Sequence, residues 1–145
     1  MTTLAENKRA HFDYEILETL EAGIVLNGQE VKSIKAGHAS LGGAFVTIKG
    51  NELWLTNTNI APWQPKNAPH DYDDTRPRKL LAHKEEISSL IGKIKTHGLT
   101  AVPLRLYSQH GKIKVEIGVA KYRKKHDKRE LIKKRDVERE IERTL

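Results

Sequence analysis

The sequence predicts a mainly β protein: a small antiparallel barrel with flanking helices and a basic C-terminal tail. Three observations lead to this fold class. Short segments through the first 120 residues alternate apolar with polar side chains, as half-buried strands do. These strands are too few and too short for two packed sheets, and closing one small sheet removes its exposed edges. The positive charge, finally, is concentrated after residue 120.

The composition limits the class of protein. A chain of 145 residues is long enough for one domain with its own core. Hydrophobic residues make up 37% and charged residues 31%, which suits a folded unit with a polar extension. The absence of cysteine excludes disulfides and thiolate zinc sites. No stretch resembles a membrane span or a signal peptide, so we expect a cytoplasmic protein without membrane contact.

The first half of the chain predicts strands around one short helix. Residues 1–10 lack an apolar pattern and are expected to be disordered. Residues 12–26 alternate in pieces broken at Ala22-Gly23, which predicts two short strands with a turn or bulge between them. Residues 27–37 predict a helix, because Asn27 suits its N-cap and Gly37 suits its end. Gly50-Asn51 then predicts a hairpin turn between two further strands.

The second half predicts a long loop, a helix and a final hairpin. Four prolines between residues 61 and 79 indicate the loop. Residues 84–97 carry apolar side chains at helical spacing, and Gly98 follows at the C-cap position. Residues 99–107 and 113–119 alternate on either side of a turn and predict the hairpin. A Greek-key barrel of the oligonucleotide-binding type accommodates the roughly six strands that result.

One segment holds the net charge of the whole chain. Lys121 to Arg135 contains nine Lys or Arg and two acids, a net charge of +7, and the complete chain also nets +7. Such a stretch indicates a polyanion as partner, with nucleic acid as the first candidate, although a basic tail that only aids solubility has the same composition. We therefore divide the chain into a barrel of residues 1–120 and a tail of residues 121–145. The tail is expected to be disordered when free and helical in an RNA-lined groove.

No arrangement of residues indicates catalysis or a bound cofactor. The densest candidate, His70 to Asp74, suits a solvated turn better than a metal site, and no second histidine cluster has ligand spacing. Neither a nucleophile elbow nor a phosphate-binding loop occurs. We expect no catalytic residue, no metal and no cofactor. Trp63, in the predicted loop, suits either the core or a surface that stacks bases.

Two further basic groups accompany the tail, at residues 7–9 and 76–79. Arginine holds phosphate through two parallel hydrogen bonds and lysine supplies a point charge. In an antiparallel barrel such loops gather on one rim and form a surface that follows a phosphate backbone. Leu80-Leu81 comes directly after the second group. These leucines suit apolar contact with bases or sugars, and they suit the core equally well.

Several motifs, in order and with the right spacing, resemble one known family. They are NKRAHFDYEI…EAG, GQEVKSIKAGHAS, RPRKLL and GVAKYRKKHDKR. With them the chain is similar, from Asn7 to about Ile132, to the small protein B family (SmpB, the bacterial SsrA-binding or tmRNA-binding proteins). One departure is visible, since the family commonly reads G-V-A-K-G-K-K where this sequence has Tyr122-Arg123.

The resemblance implies an RNA-binding protein and not an enzyme. Members of the family bind the tRNA-like domain of tmRNA and enter stalled ribosomes with it, which frees the ribosome and tags the unfinished peptide. The barrel takes the place of the lower half of a tRNA, and the tail probes the decoding centre and the empty mRNA channel. The implied partners are tmRNA and small-subunit ribosomal RNA, with EF-Tu and alanyl-tRNA synthetase engaged indirectly through tmRNA. The role implies a monomer.

The resemblance also implies roles for individual residues. Those that match the tmRNA-binding side, or basic contacts shared with ribosomal RNA, are Asn7, Lys8, Arg9, Glu21, Arg76, Arg78, Lys79, Leu80, Leu81, Lys121, Arg123, Lys124 and Lys125. Those that match the segment at the decoding centre and mRNA channel are His126, Asp127, Lys128, Arg129, Ile132, Lys133, Lys134 and Arg135. Glu21 suits RNA only as a hydrogen-bond acceptor, because a carboxylate repels phosphate. The alternatives are a generic RNA-binding or ribosome-associated protein of the same fold, an RNA-processing enzyme, and a coiled-coil scaffold.

Overall fold

Seven antiparallel strands organise the chain in its computed structural model, which describes residues 1–64, 66, 70 and 72–144, with the backbone alone for residues 125–127 and 140–144. The strands of this sheet are β1 (Thr2–Glu6), β2 (Tyr14–Ile24), β4 (Phe45–Lys49), β5 (Glu52–Thr56), β7 (Arg78–Leu81), β8 (Thr100–Gln109) and β9 (Lys112–Tyr122). A separate ribbon pairs β3 (Ala39–Ser40) with β6 (Asn59–Ile60). The helices are α1 (Ala10–Asp13), α2 (Gly28–Lys35), α3 (Lys84–His97) and α4 (Lys125–Thr144).

The sheet curls into an incompletely closed barrel. Its strand order is β1-β8-β9-β2-β7-β5-β4, so the last hairpin of the chain lies between the first two strands. The end strands are β1 and β4, and no ladder joins them within the described residues. β4 instead approaches β8, with Cα atoms within 8 Å, and the core holds buried side chains such as Leu55, Leu106 and Ile117. The mainly β class is confirmed, but within the described residues the sheet does not close into a complete barrel, because β4 packs near β8 without pairing with it.

The N-terminal residues differ from the prediction of disorder. They form β1, which pairs with β8, followed by α1. The backbone N–H of Asn7 donates to the carbonyl of Leu104 at 2.8 Å and continues this attachment. The weak apolar pattern of these residues did not indicate a strand because β1 is an edge strand whose Leu4 and Ala5 are only half-buried. Their side chains pack against the core under β8.

β2 is one long strand where the sequence predicted two. It runs alongside β9, and its bulge lies between Ile16 and Glu18, earlier than predicted. Ala22-Gly23, the predicted break, lies in the regular part of the strand, where Gly23 is opposite Leu81 of β7. A Cβ atom at Gly23 would lie 3.4 Å from the Leu81 Cβ. This is an ordinary contact distance, so Ala22-Gly23 continues the strand and does not turn the chain.

The predicted helices and hairpins are confirmed. α2 begins at a capping box, in which the Asn27 side chain accepts from the Glu30 N–H at 2.9 Å and the Glu30 carboxylate accepts from the Asn27 N–H at 3.1 Å. α3 covers the predicted residues and ends at Gly98, whose φ of 65° is typical of a left-handed C-cap. The β4–β5 and β8–β9 hairpins form as predicted. β7 occupies the last residues of the predicted loop.

α4 contains most of the basic tail. β9 continues as far as Tyr122, opposite Tyr14, so Lys121 and Tyr122 belong to the sheet and the tail begins two residues later than predicted. Residues 125–144 form one helix, the conformation expected for the tail in an RNA-lined groove. The dependence of that helix on a partner stays a prediction. Across the described residues, no helix is both long enough and apolar enough to span a membrane.

Candidate nucleic-acid interface

An exposed carboxylate with two fixed neighbours lies on the outer face of the sheet. The Tyr107 hydroxyl donates to Glu21 on β2, and the Lys114 ammonium lies 3.4 Å from the same carboxylate. These hydrogen bonds, that of Tyr107 first, hold the pKa of Glu21 below its ordinary value. Burial and the hydrogen bond to Glu21 raise the pKa of the Tyr107 hydroxyl. Glu21 is therefore an ionised, oriented acceptor, the form in which it suits a base amino group or a sugar hydroxyl.

An apolar surface continues from this carboxylate along β7. Leu81 is 52% exposed and lies beside Gly23, which has no side chain to cover it. Lys114 is opposite Gly23 on the other side of β2 and completes the surface. We call this set, Glu21, Gly23, Leu81 and Lys114, the Glu21–Leu81 patch. It combines an acceptor, a cation and an apolar face in one place, the three kinds of group by which proteins contact unpaired or distorted RNA.

A buried ion cluster fixes β7 against α2. Glu30 has no exposed surface and accepts hydrogen bonds from two guanidinium groups. Arg78 donates to it through Nε at 2.7 Å and to the Thr58 carbonyl through Nη1 at 2.7 Å. Arg76 donates through Nε at 3.2 Å and also through Nη2. Because each buried charge has a partner, the cluster holds the strand that carries Leu81 in position.

The burial of Arg78 and Leu80 corrects two of the contacts that the sequence predicted. They are 0% and 1% exposed, so neither reaches RNA directly. Side chains alternate along β7, which turns Arg78 and Leu80 inward while Lys79 and Leu81 face outward. Lys79 remains available at the surface beside Glu52, and the Arg76 side chain is half-exposed. Of the two leucines, Leu80 lies in the core and Leu81 lies at the surface, where it is accessible to a ligand.

We predict that stability falls in acid because Glu30 must stay ionised. Burial alone would raise the pKa of Glu30, but hydrogen bonds from Arg76, the Asn27 backbone and Arg78 outweigh it and hold the pKa below the ordinary 4.5. A pKa that is lower in the folded state adds stability above the unfolded pKa, and this stability is lost as pH falls through the folded pKa. Urea titrations should show the unfolding free energy falling below about pH 5. An equal acid dependence in Glu30→Gln would contradict the assignment.

A second group of cations surrounds α1. Asn7 is fixed by donation from its side-chain Nδ2 to the Pro103 carbonyl at 2.9 Å. Lys8 and Arg9 follow it and are exposed. The Arg9 guanidinium lies 5.3 Å from the centre of the Phe12 ring and 3.5 Å from the Asp13 carboxylate. The predicted residues 7–9 thus form a structured, cationic surface and not a mobile end.

The start of the tail joins this surface. Lys128 of α4 lies 3.0 Å from the Asp13 carboxylate, 4.8 Å from the centre of the Tyr122 ring and 5.6 Å from the centre of the Phe12 ring. Arg123 donates its backbone N–H to the Asp13 carbonyl at 2.9 Å. We call Lys8, Arg9, Phe12, Arg123 and Lys128 the α1 patch. Tyr122, which replaces the family's usual glycine, packs edge-on against Tyr14 with ring centres 5.5 Å apart.

The two patches lie at opposite ends of β2. Tyr14, where β2 begins, is next to α1, and Gly23 near its end belongs to the Glu21–Leu81 patch. Tyr14 and Gly23 are nine positions apart along the strand, a contour length of about 30 Å. The sequence-predicted residues therefore form two surfaces, and one ligand that contacts both must be as long as the strand.

The remaining tail residues follow α4 away from the sheet. Lys124 is exposed just before the helix, and Arg129, Ile132, Lys133, Lys134 and Arg135 are exposed on it. The Arg135 guanidinium lies 6.0 Å from the centre of the Phe12 ring, so α4 stays near α1 through its third turn. Lys125, His126 and Asp127 lie in the first turn, and their side chains are outside the described residues.

Three residues that form or support this surface were given no role from the sequence. Lys114 was predictable, because Ile113 and Val115 point inward and the residue between them must face outward. The roles of Phe12, whose ring lies near three cations, and of Glu30, which fixes β7, depend on contacts with residues distant in sequence.

Trp63 is exposed beside His38, and Asp71 of the predicted acidic turn is outside the described residues. The described residues contain no His, Cys, Asp and Glu group that suits a metal ion.

From the family resemblance of its sequence we predict that Leu81→Ala weakens tmRNA binding about tenfold without lowering the melting temperature. The side chain is half-exposed in the free protein, so truncation removes mainly apolar area that RNA would cover, on the order of 1.5 kcal/mol. Leu17→Ala is the matched control, because Leu17 is 53% exposed on the same strand system but lies outside both patches. Calorimetric titration with the tRNA-like domain makes the measurement. Equal weakening in the two variants would remove Leu81 from the interface.

A curved antiparallel sheet with one cationic patch, one patch of mixed polar and apolar groups, and a charged helix is typical of a small nucleic-acid-binding barrel protein. Comparison with models of protein families gives a match to the SmpB protein over residues 4–145. This chain belongs to the SmpB family, as its motifs predicted.

Relatives and one solved structure agree with this assignment. The chain is 49% identical over 142 residues to the SsrA-binding protein of Thermosynechococcus vestitus, with 98% of this chain and 93% of the relative covered. It is 53% identical over 144 residues to the SsrA-binding protein of Coprothermobacter proteolyticus, with 99% and 96% covered. A chain from the structure described as "tmRNA-SmpB: a journey to the center of the bacterial ribosome" superposes with a TM-score of 0.68 at 46% identity. That match covers 88% of this chain and 92% of the other, so the two share a fold.

Proposed function

We propose that this chain binds the tRNA-like domain of tmRNA and carries it to stalled ribosomes, where trans-translation frees the ribosome and tags the unfinished peptide. The barrel takes the tRNA-like domain, and α4 enters the decoding centre and the empty mRNA channel. The chain acts as a binding protein and not as an enzyme, in the cytoplasm and as a monomer. Through tmRNA it works with EF-Tu and alanyl-tRNA synthetase.

Family membership is the observation that carries this proposal. Relatives at about half identity over nearly the whole chain are SsrA-binding proteins, and SsrA RNA is tmRNA. The geometry suits such a ligand, because the two patches lie towards opposite ends of an 11-residue strand and a long, structured RNA can reach both. A short single strand that followed one loop would need only one of them.

The roles of individual residues follow from their placement. For tmRNA we propose direct contacts from Lys8, Arg9, Glu21, Lys79, Leu81 and Lys114, with Arg76 at the border of the Glu21–Leu81 patch. Arg78 and Leu80 act as positioning residues, since both are buried beneath this surface. The exposed cations of α4 contact ribosomal RNA, where each phosphate relieves repulsion among neighbouring Lys and Arg.

For the tail we propose a helix that is marginal in the free protein and stable in the ribosome. Isolated helices need favourable packing, and α4 is largely exposed beyond its contacts with α1. Circular dichroism of residues 125–145 as a peptide should show little helix alone and more helix with added RNA. A peptide that is fully helical alone would contradict the proposal.

A salt series tests the proposed function. If roughly five phosphates are neutralised, the logarithm of the affinity for the tRNA-like domain should fall with a slope of about −4 against the logarithm of salt concentration. Bulk tRNA and a random RNA of equal length are the controls, and tmRNA should keep a margin of several kcal/mol over the random RNA. Equal binding of all three would favour a generic RNA-binding or ribosome-associated protein. Fragmentation or modification of the RNA during incubation would favour an enzyme.

A further inference from the structure

An open groove follows the seam of the barrel, where β4 passes β8 without pairing with it. Its volume is about 800 Å³, within the range of pockets that hold molecules of nucleotide size. The N-terminal segment from Glu6 to Tyr14 forms one wall, and residues 42–46 form the other. Thr100 to Val102 of β8 lie between the walls. The groove therefore exists because the sheet is not closed by hydrogen bonds.

The β4 wall of the groove carries an aromatic side chain that follows two glycines. Phe45 is 46% exposed where it enters the groove. Gly42 and Gly43 precede it and line the groove with backbone alone, and Gly43 has a φ of 77°. A flat ring reached over bare backbone suits a planar ligand, because aromatic side chains stack on the faces of nucleobases.

The opposite wall offers one fixed hydrogen-bond acceptor. The Asn7 backbone N–H and side-chain Nδ2 donate to Leu104 and Pro103, which locks the residue in place. Its side-chain oxygen is left for a ligand, since the nitrogen is already used. This oxygen can accept a hydrogen bond from the exocyclic amino group of adenine, cytosine or guanine, whereas uracil has no amino group to donate one.

The charges at the rim suit a phosphate beside the base. Lys8 and Arg9 line the groove with Glu6 and Asp13. Asp13 is paired with both Arg9 and Lys128, which leaves its carboxylate compensated. Lys8 is exposed and has no partner among the described residues. The two cations and two carboxylates on the rim sum to zero charge, and the further pairing of Asp13 with Lys128 leaves Lys8 as the cation that can meet a phosphate backbone.

We propose that the seam groove takes one unpaired nucleobase of the bound RNA. The base stacks on Phe45 and donates its amino group to the Asn7 side-chain oxygen, while Lys8 contacts a flanking phosphate. This inference rests on the proposed function and adds to it a site, a ligand class and a preference for amino-bearing bases. A peptide strand pairing with the free edge of β4 is the other geometry that the seam permits, and Lys8 at the rim favours RNA.

Phe45→Leu tests the stacking contact. We expect the affinity for the tRNA-like domain of tmRNA to fall about tenfold, with the slope of the salt dependence unchanged, because stacking releases no counterions. Trp63→Leu is the matched control, since Trp63 is 39% exposed and lies outside the groove. Both variants should keep the thermal stability of the parent. An unchanged affinity in Phe45→Leu, in a protein that binds tmRNA normally, overturns the groove while leaving the proposed function intact.

Short RNAs test the base preference independently of tmRNA. The full-length protein should bind hexanucleotides of adenine or cytosine about fivefold more tightly than the uracil hexanucleotide, and Phe45→Leu should weaken all three. Equal affinity for the three, or no detectable binding of any, overturns the inference. A parent protein that fails to bind the tRNA-like domain itself would instead refute the proposed function.

Discussion

Removal of residues 126–145 should abolish peptide tagging on stalled ribosomes while leaving the affinity for the tRNA-like domain within about fivefold. Both patches lie on the barrel and on α1, so the truncated chain keeps Lys8, Arg9, Glu21 and Leu81. Truncation removes Lys128 from the α1 patch and with it the ion pair to Asp13, and ion pairs near the surface contribute little to stability. Binding by filter retention and tagging in a stalled translation extract are the two measurements.

A helix-breaking variant separates the charge of the tail from its conformation. Ile132→Pro keeps every cation of α4 but interrupts the helix, at a cost of about 3 kcal/mol. Tagging should be abolished in this variant and kept in Ile132→Ala, the control that preserves the helix. If the truncated chain also failed to bind tmRNA, the division of roles between barrel and tail would be wrong. Tagging by Ile132→Pro at the parent rate would show that charge alone suffices.

Glu30→Gln should lower the unfolding free energy by about 3 to 5 kcal/mol. The substitution keeps the shape of the side chain but leaves the buried Arg78 guanidinium without a counter-charge. For a chain of this size the melting temperature should fall by about 10 °C. Glu52→Gln is the control, because its partner Lys79 is half-exposed and such a pair contributes little. Urea denaturation followed by circular dichroism makes the comparison.

The same variant tests whether the ion cluster positions the RNA surface. Below its melting temperature, folded Glu30→Gln should bind the tRNA-like domain more weakly than Glu52→Gln, because β7 carries Leu81 and is fixed through Arg78. Equal unfolding free energies for the two glutamine variants would contradict the view that buried charges hold β7. Equal RNA affinities would reduce the cluster to a purely structural element.

Local patterns predicted the elements whose signals, apolar spacing and a capping or turn residue, all lie within one segment of the sequence. α3 could be placed to the residue because its apolar spacing and Gly98 lie within one segment. The β8–β9 hairpin was equally clear from alternation on both sides of one turn. By contrast, β1 is polar on one face and is held by β8, about a hundred residues away, so its own sequence carried too little signal.

The candidate site was predictable in its residues and not in its geometry. Motifs identified residues 7–9, Glu21 and Leu81, but only the course of β2 separates them into two patches. Arg78 resembled a phosphate ligand because the local sequence does not show whether its side chain points into the core or into solvent. Its buried partner, Glu30, lies on α2, far away in the sequence. The groove beside Phe45 depends on the unpaired seam between β4 and β8, a tertiary feature that no local pattern contains.

Amide hydrogen exchange of the full-length protein, with and without the tRNA-like domain of tmRNA, tests most directly whether one RNA spans both ends of β2. Slowed exchange is expected at residues 7–14 and, to a similar extent, at residues 21–25 and 79–83 when RNA is present. Residues 91–97 of α3 lie away from both patches and should exchange as in the free protein. Protection confined to one end of β2 would contradict the account.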